Sequence, residues 1–340
     1  SRFVSRIKSA SGVNMSTPRS VNTKPFRYSG CMELIGEILR IFFQLRASIY
    51  EQTVKSIRIV SLHDLKDNHN NRIGSGELKM TQSVSAIIDL DQHHLSSKGF
   101  RAQCKYILDK NGALVLEDFL KSSAIVSIKN EGVDNQHLAY FTASNHNIYL
   151  SPSDPEFSSD HPRNREVASS KGCITTDQIP EGSALYTLYD APEFREFLCA
   201  VLDIEELYEY ADPLSSINLH YASEGQELGW HFDNSSFAIT VMIQTPEEGG
   251  TFEYVKDVRD ADQGDMNYVL SNKVIDGEIP PKTLSMGAGA LVLFRGRNSM
   301  HRVTPVKGNR TRMLVVLAYN TEPGISLSES ARMTFYGRLG

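Results

Sequence analysis

From Asp212-Pro213 onward the chain changes its hydrophobic rhythm. Residues 217–221, 237–244, 251–255, 290–294 and 312–319 are short runs rich in β-branched and aromatic residues, each bounded by Gly, Pro or Asn. Their two-residue period predicts strands that bury one face each. Ahead of them the spacing is helical. Asp190-Ala-Pro-Glu193 offers a capping Asp, an early Pro and a Glu three residues on, and Phe194, Phe197, Leu198, Val201 and Leu202 continue at intervals of three and four. Leu34, Ile38, Ile41, Phe42, Leu45 and Ile49 follow the same rule. Helices followed by short strands predict an α+β chain whose core is a double-stranded β-helix (jelly roll) with flanking helices. The expected layout is a single domain over 29–340, helical to about residue 212, with the jelly-roll core over about 213–340.

Composition removes several classes of function. The 340 residues are 40% apolar and 22% charged, and the longest apolar runs, such as 313–319, are far too short to span a bilayer. With 35 Lys and Arg against 41 Asp and Glu, the net charge of -6 provides no global positive field for a phosphate backbone. Neither a membrane nor a nucleic acid is expected as a partner. Cys31, Cys104, Cys173 and Cys199 lie far apart without a CxxC, which predicts reduced thiols and a cytoplasmic protein rather than a zinc or disulfide scaffold. Residues 1–30 carry six basic residues, no acid and many serines. Residues 1–28 therefore read as a disordered tail or as sequence added in cloning ahead of a start at Met15. Two further stretches, 64–76 and the turn-rich 151–185, read as loops. The charged segment 256–282 is too long for a tight hairpin and reads either as a lid or as a solvated face.

Chemistry concentrates in Trp230-His231-Phe232-Asp233 and in His301, 70 residues after His231. On extended backbone, residues two apart point to the same side, so His231 and Asp233 can reach one metal while a neighbouring strand brings His301. Two imidazoles and a carboxylate leave three adjacent open positions on an octahedral Fe(II), enough for a bidentate cosubstrate and O₂. A His-x-Asp alone recurs by chance; the context after His301 adds weight. Arg310 and Arg312 precede the apolar strand 313–319, and a guanidinium there can grip the distal carboxylate of a dicarboxylic keto acid with a planar fork. Arg312 is preferred because it begins the strand.

These residues resemble the iron(II)/2-oxoglutarate-dependent oxygenases: His231, Asp233 and His301 match the His-x-Asp…His motif, and Arg312 or Arg310 matches the cosubstrate cation. Asp160-His-Pro-Arg163, Tyr210-Ala-Asp-Pro213, Gly229-Trp-His-Phe-Asp-Asn-Ser235, Gly249-Gly-Thr-Phe-Glu-Tyr254 and Met300-His-Arg-Val-Thr-Pro-Val306 are similar to the group containing free-amino-acid halogenases and their hydroxylase relatives. The resemblance covers roughly residues 95–340. It implies Fe(II), 2-oxoglutarate and O₂ as cofactor and cosubstrates, with succinate and CO₂ released as a substrate C–H is oxidised. Halogenases of this group replace the carboxylate with Gly or Ala to admit a halide; Asp233 fills that place, so the resemblance implies hydroxylation or halide-free desaturation or ring closure.

The expected substrate is a small free amino acid, aliphatic in its side chain, in specialised metabolism. Period two sends Leu314, Val316 and Ala318 to the same side as Arg312, an apolar wall with nothing to satisfy a charged terminus. Arg163 is expected at the substrate carboxylate and Asp212 at its ammonium, with Trp230 closing the pocket and Asn218 and Tyr221 touching 2-oxoglutarate. Two other readings are a hydroxylase of a protein or peptide residue, and a non-catalytic or zinc-occupied jelly-roll module. The oligomeric state is not encoded in any of these patterns.

Overall fold

The computed structural model describes residues 83–340. The tail at 1–28, the helix expected over 34–49 and the loop at 64–76 lie outside the described residues.

Six α-helices carry the labels α1 Lys98–Asn111, α2 Ser122–Asn135, α3 Ala184–Asp190, α4 Pro192–Leu202, α5 Tyr268–Ile275 and α6 Glu329–Tyr336. The strands are β1 Ala113–Leu116, β2 Tyr140–Asn147, β3 Glu166–Ile174, β4 Ile217–Ala222, β5 Leu228–His231, β6 Ala238–Gln244, β7 Glu248–Gly249, β8 Phe252–Val255, β9 Lys282–Leu284, β10 Leu291–Phe294, β11 Met300–Val303, β12 Val306–Lys307 and β13 Arg312–Leu317. Local chemistry sets several boundaries. The Ser97 hydroxyl accepts from the Phe100 amide to start α1, and Gly112 at φ 76° ends it. Pro192 opens α4, but its N-cap is Ala191, because α3 runs on to Asp190. The Asp190 carboxylate instead pairs with Arg195 at 3.3 Å.

The large sheet is antiparallel throughout, in the order β1-β10-β6-β13-β4-β3-β5-β11-β8-β9, with β2 paired to β3. β3 is the joint. Its C-terminal residues 172–174 pair with β4, while Ser169 alone registers with Leu228 of β5. The strands before the joint form one half of the jelly roll and those after it the other. Alternation assigns the faces. Met313, Val315 and Leu317 of β13, Leu219 and Tyr221 of β4, and Leu291 and Leu293 of β10 pack in the main core with Leu108, Ile128, Phe194 and Phe197 of the helices. The smaller half is backed by a second core of Ile148, Tyr149, Trp230, Phe232, Val258, Val274 and Met300.

Two expectations need correction here. β1, β2 and β3 all precede residue 212, where the pattern reads as helix and loop. β2 is largely exposed, and most of β3 is polar or small and half-buried, so no apolar alternation marks either strand. Segment 256–282 is not a lid: it contains α5 and buries Val258 and Val274 behind the smaller half-sheet. Among the described residues no helix is long and apolar enough to cross a membrane.

Candidate active site

His231 ends β5 and pairs directly with His301 of β11 across the ladder. Asp233, two residues past the strand, returns to the same side. The three ligand atoms lie within 4.8 Å of one another, the one cluster of this kind among the described residues. Asp233 Oδ1 is 3.9 Å from Nε2 of His231 and 3.5 Å from Nε2 of His301. Each imidazole places Nδ1 on a backbone carbonyl two residues earlier, His231 on Gly229 at 2.7 Å and His301 on Ser299 at 3.0 Å. Nδ1 donates in both, so both Nε2 lone pairs face the cluster, as metal ligation requires. Burial and the neighbouring His301 push the His231 pKa down, keeping its ring neutral. Burial works to raise the Asp233 carboxyl, but His301 and then His231 outweigh it and hold the group below the usual carboxylate range.

The carboxylate's position is carved by the backbone around it. The Asp233 amide donates to Gly296 O at 3.1 Å, Arg259 Nη2 donates to Asp233 O at 3.4 Å, and Arg297 Nη1 donates to Asn234 O at 2.9 Å. A neutral, preoriented imidazole pair with one fixed carboxylate fits a divalent transition metal.

The cluster opens onto a cavity of about 290 Å³ between the two halves of the jelly roll. Such a volume suits a small molecule. Arg312 lines it, 5% exposed, and its Nε has no hydrogen-bond partner. Burial pushes its pKa down to about 10, so it remains charged at neutral pH. A buried cation without an anion is costly, and the carboxylate of a bound ligand would supply the missing partner. Leu314, Val316 and Ala318 line the same cavity, as do Val292 and Phe294 from β10.

The other expected residues are placed differently. Arg310 is exposed and donates to Pro246 O. Tyr221 borders the cavity, but its wholly buried side chain packs in the main core and its hydroxyl donates to Gly132 O of α2 at 2.7 Å. Asn218 uses its amide on Leu214 O and Ile217 O and accepts from Tyr336. Trp230 points to the second core with Arg302 stacked on it at 4.7 Å, because its neighbour His231 takes the inner face. Asp212 spends its carboxylate on the Leu214 and Leu327 amides and the Ser215 hydroxyl, which shapes a turn. Arg163 belongs to the loop before β3 and does not line the cavity. In their place the cavity presents Lys171, His220 and Glu227. No motif flags these three: Lys171 lies on polar β3, His220 lies on a predicted strand without a ligand spacing, and Glu227 lies just ahead of β5.

A family model described as halogenase D matches residues 108–334. The chain belongs to the halogenase D family. It is an iron(II)/2-oxoglutarate-dependent oxygenase, using Fe(II), 2-oxoglutarate and O₂. Solved structures resemble it distantly. A 2OG-Fe(II) oxygenase family oxidoreductase from Burkholderia pseudomallei is 13% identical, covering 68% of this chain and 95% of that one at a TM-score of 0.44. The non-heme alpha ketoglutarate dependent carbocyclase of nogalamycin biosynthesis is 11% identical over 71% and 92% of the two chains, at 0.48. A Pseudomonas putida prolyl-4-hydroxylase is 13% identical over 64% and 96%, at 0.40. A search of curated proteins finds no match.

Proposed function

We propose that this oxygenase oxidises an unactivated C–H bond of a small free amino acid with an aliphatic side chain, without transferring a halide. The observation that carries the reading is the cavity itself: a His₂Asp cluster, an unpaired buried arginine and an apolar wall share about 290 Å³.

In this reading Nε2 of His231, Nε2 of His301 and a carboxylate oxygen of Asp233 hold the iron. Iron with 2-oxoglutarate and O₂ supplies the oxidising power as the keto acid becomes succinate and CO₂. Arg312 binds the distal carboxylate through its fork and so fixes the keto acid's orientation. Asp233 keeps the ligand position that a halide needs. Leu314, Val316 and Ala318 exclude water and accept an aliphatic chain; a lysine-like ammonium against them is left unpaired, at a cost of several kcal/mol.

The test is a panel of free amino acids with Fe(II)-reconstituted protein, 2-oxoglutarate and air, followed by succinate release and product mass. Valine, isoleucine or leucine is expected to stimulate succinate, with product gaining one oxygen or losing two hydrogens. Ala at His231, Asp233 or His301 is expected to abolish the response. Chlorinated product, or stimulation by lysine or a peptide while the three aliphatic amino acids are inert, overturns the reading.

A further inference from the structure

The cavity holds two charged side chains that the metal cluster and the keto acid do not use. Lys171 of β3 lines it, with Nζ 3.4 Å from each ring nitrogen of His220. His220 is held neutral by burial and by the Lys171 and Arg312 cations. It accepts from the ammonium without balancing its charge. Lys171 makes no ion pair with any described carboxylate. Glu227, half-buried, lines the same cavity from just ahead of β5. Its backbone is tied to the residue next to Lys171: the Ser170 amide donates to Glu227 O at 2.7 Å, and the Glu227 amide donates to Ser170 Oγ at 3.4 Å. The Glu227 carboxylate also ion-pairs with none of the described residues. Burial lowers the Lys171 pKa, and Cys173 and Asp233 act against that through space without an ion pair. The β3-to-β5 joint therefore brings one lysine and one glutamate to a single cavity, ion-paired neither with each other nor with any other described residue.

We infer that Lys171 and Glu227 are the two anchors of the substrate's charged end, Lys171 for an α-carboxylate and Glu227 for an α-ammonium. The assignment rests on the amino-acid reading above and names the residues that would enforce it. Charge balance supports it. Iron(II), Asp233, the dianionic keto acid and Arg312 together sum to zero, which leaves Lys171 and Glu227 as one positive and one negative group. A zwitterion satisfies both. An internal peptide residue brings neither charge, and a simple carboxylic acid or amine brings only one, so each leaves a partly buried charge unpaired. The aliphatic side chain then has the wall of Val292, Leu314, Val316 and Ala318 available to it.

The test is calorimetric titration of the full-length protein loaded with zinc, which cannot turn over, and 2-oxoglutarate. The titrants are L-valine, L-isoleucine and L-leucine, with isovalerate as the analogue lacking an ammonium. Lys171→Met and Glu227→Gln are each expected to weaken amino-acid binding roughly 10- to 100-fold, the loss of one charge-assisted contact. Separate 2-oxoglutarate titrations of both variants are expected to match wild type, which also shows that they fold. Glu227→Gln is expected to leave isovalerate binding unchanged, whereas Lys171→Met weakens it. Amino-acid binding at wild-type strength in both variants overturns the assignment alone. Loss of 2-oxoglutarate rather than amino-acid affinity in Lys171→Met overturns it by making Lys171 a keto-acid cation. Failure of wild type to bind any of the three amino acids overturns the proposed substrate class, and this assignment with it.

Discussion

A methyl group on residue 296 would lie 1.8 Å from Oδ2 and 2.6 Å from Cγ of Asp233. Gly296 is not among the glycines with left-handed φ, so its requirement is space rather than backbone freedom. Gly296→Ala is expected to displace the carboxylate and lower divalent-metal affinity by about 10- to 100-fold, the usual cost of disturbing a ligand's support. Metal content after dialysis checks this, and a wild-type content refutes it. Arg312 is the second residue-scale case. Arg312→Lys keeps the charge but loses the planar fork, so the 2-oxoglutarate requirement is expected to rise at least about tenfold. Arg310→Ala removes only a surface contact to Pro246 and is expected to leave it unchanged. Titrating 2-oxoglutarate dependence in both variants decides, and the reverse order assigns the keto acid to Arg310.

At the scale of elements, β4 and β13 each do two jobs by alternation. Their inner residues, His220 and Ala222 on one and Arg312, Leu314 and Val316 on the other, wall the cavity; their outer residues hold the helices. Tyr221 belongs to the outer set. Its hydroxyl reaches Gly132 O, at a point where α2 comes so close that a Cβ on Gly132 would meet Leu219 Cδ2 at 2.7 Å. Tyr221→Phe is expected to cost roughly 1 kcal/mol of stability in urea unfolding, one buried hydrogen bond, with no change in 2-oxoglutarate affinity. An altered affinity would return Tyr221 to the cosubstrate site.

At the scale of the molecule, closing the jelly roll around charged groups makes stability depend on pH. His220 is held neutral in the folded state with its pKa well below 6.5, first by burial and then by Lys171 and Arg312. Between its folded pKa and about 6.5 the unfolded chain binds a proton that the folded chain does not. Stability therefore rises with pH through that window and is lost as pH falls, by up to about 1.4 kcal/mol per unit for this one group. Thermal unfolding at pH 5.5 and 7.5 is expected to show the loss, and His220→Gln to make it shallower. Equal slopes in the two proteins would mean that His220 does not contribute.

The sequence by itself determined the kind of chemistry and much of its scaffold. His231 and Asp233 share a side because extended backbone repeats every two residues, and the same rule turns Arg312, Leu314 and Val316 inward together. The apolar runs after residue 212 are strands because each alternates against a core. What only the tertiary structure decided is which inward residues meet. β3 lacks an apolar stripe because its half-buried residues up to Lys171 are mostly polar or small and line a polar part of the site, so nothing local marks Lys171. Gly296 and Asp233 are 63 positions apart, and their contact exists only because the strands on either side curl toward one another. Asp212 and Arg163 have the right charges for an amino acid, but Asp212 is consumed by its own turn and Arg163 is held in the loop before β3. Periodicity reports the face a side chain occupies; the bend of β3 between β4 and β5 sets what stands opposite it.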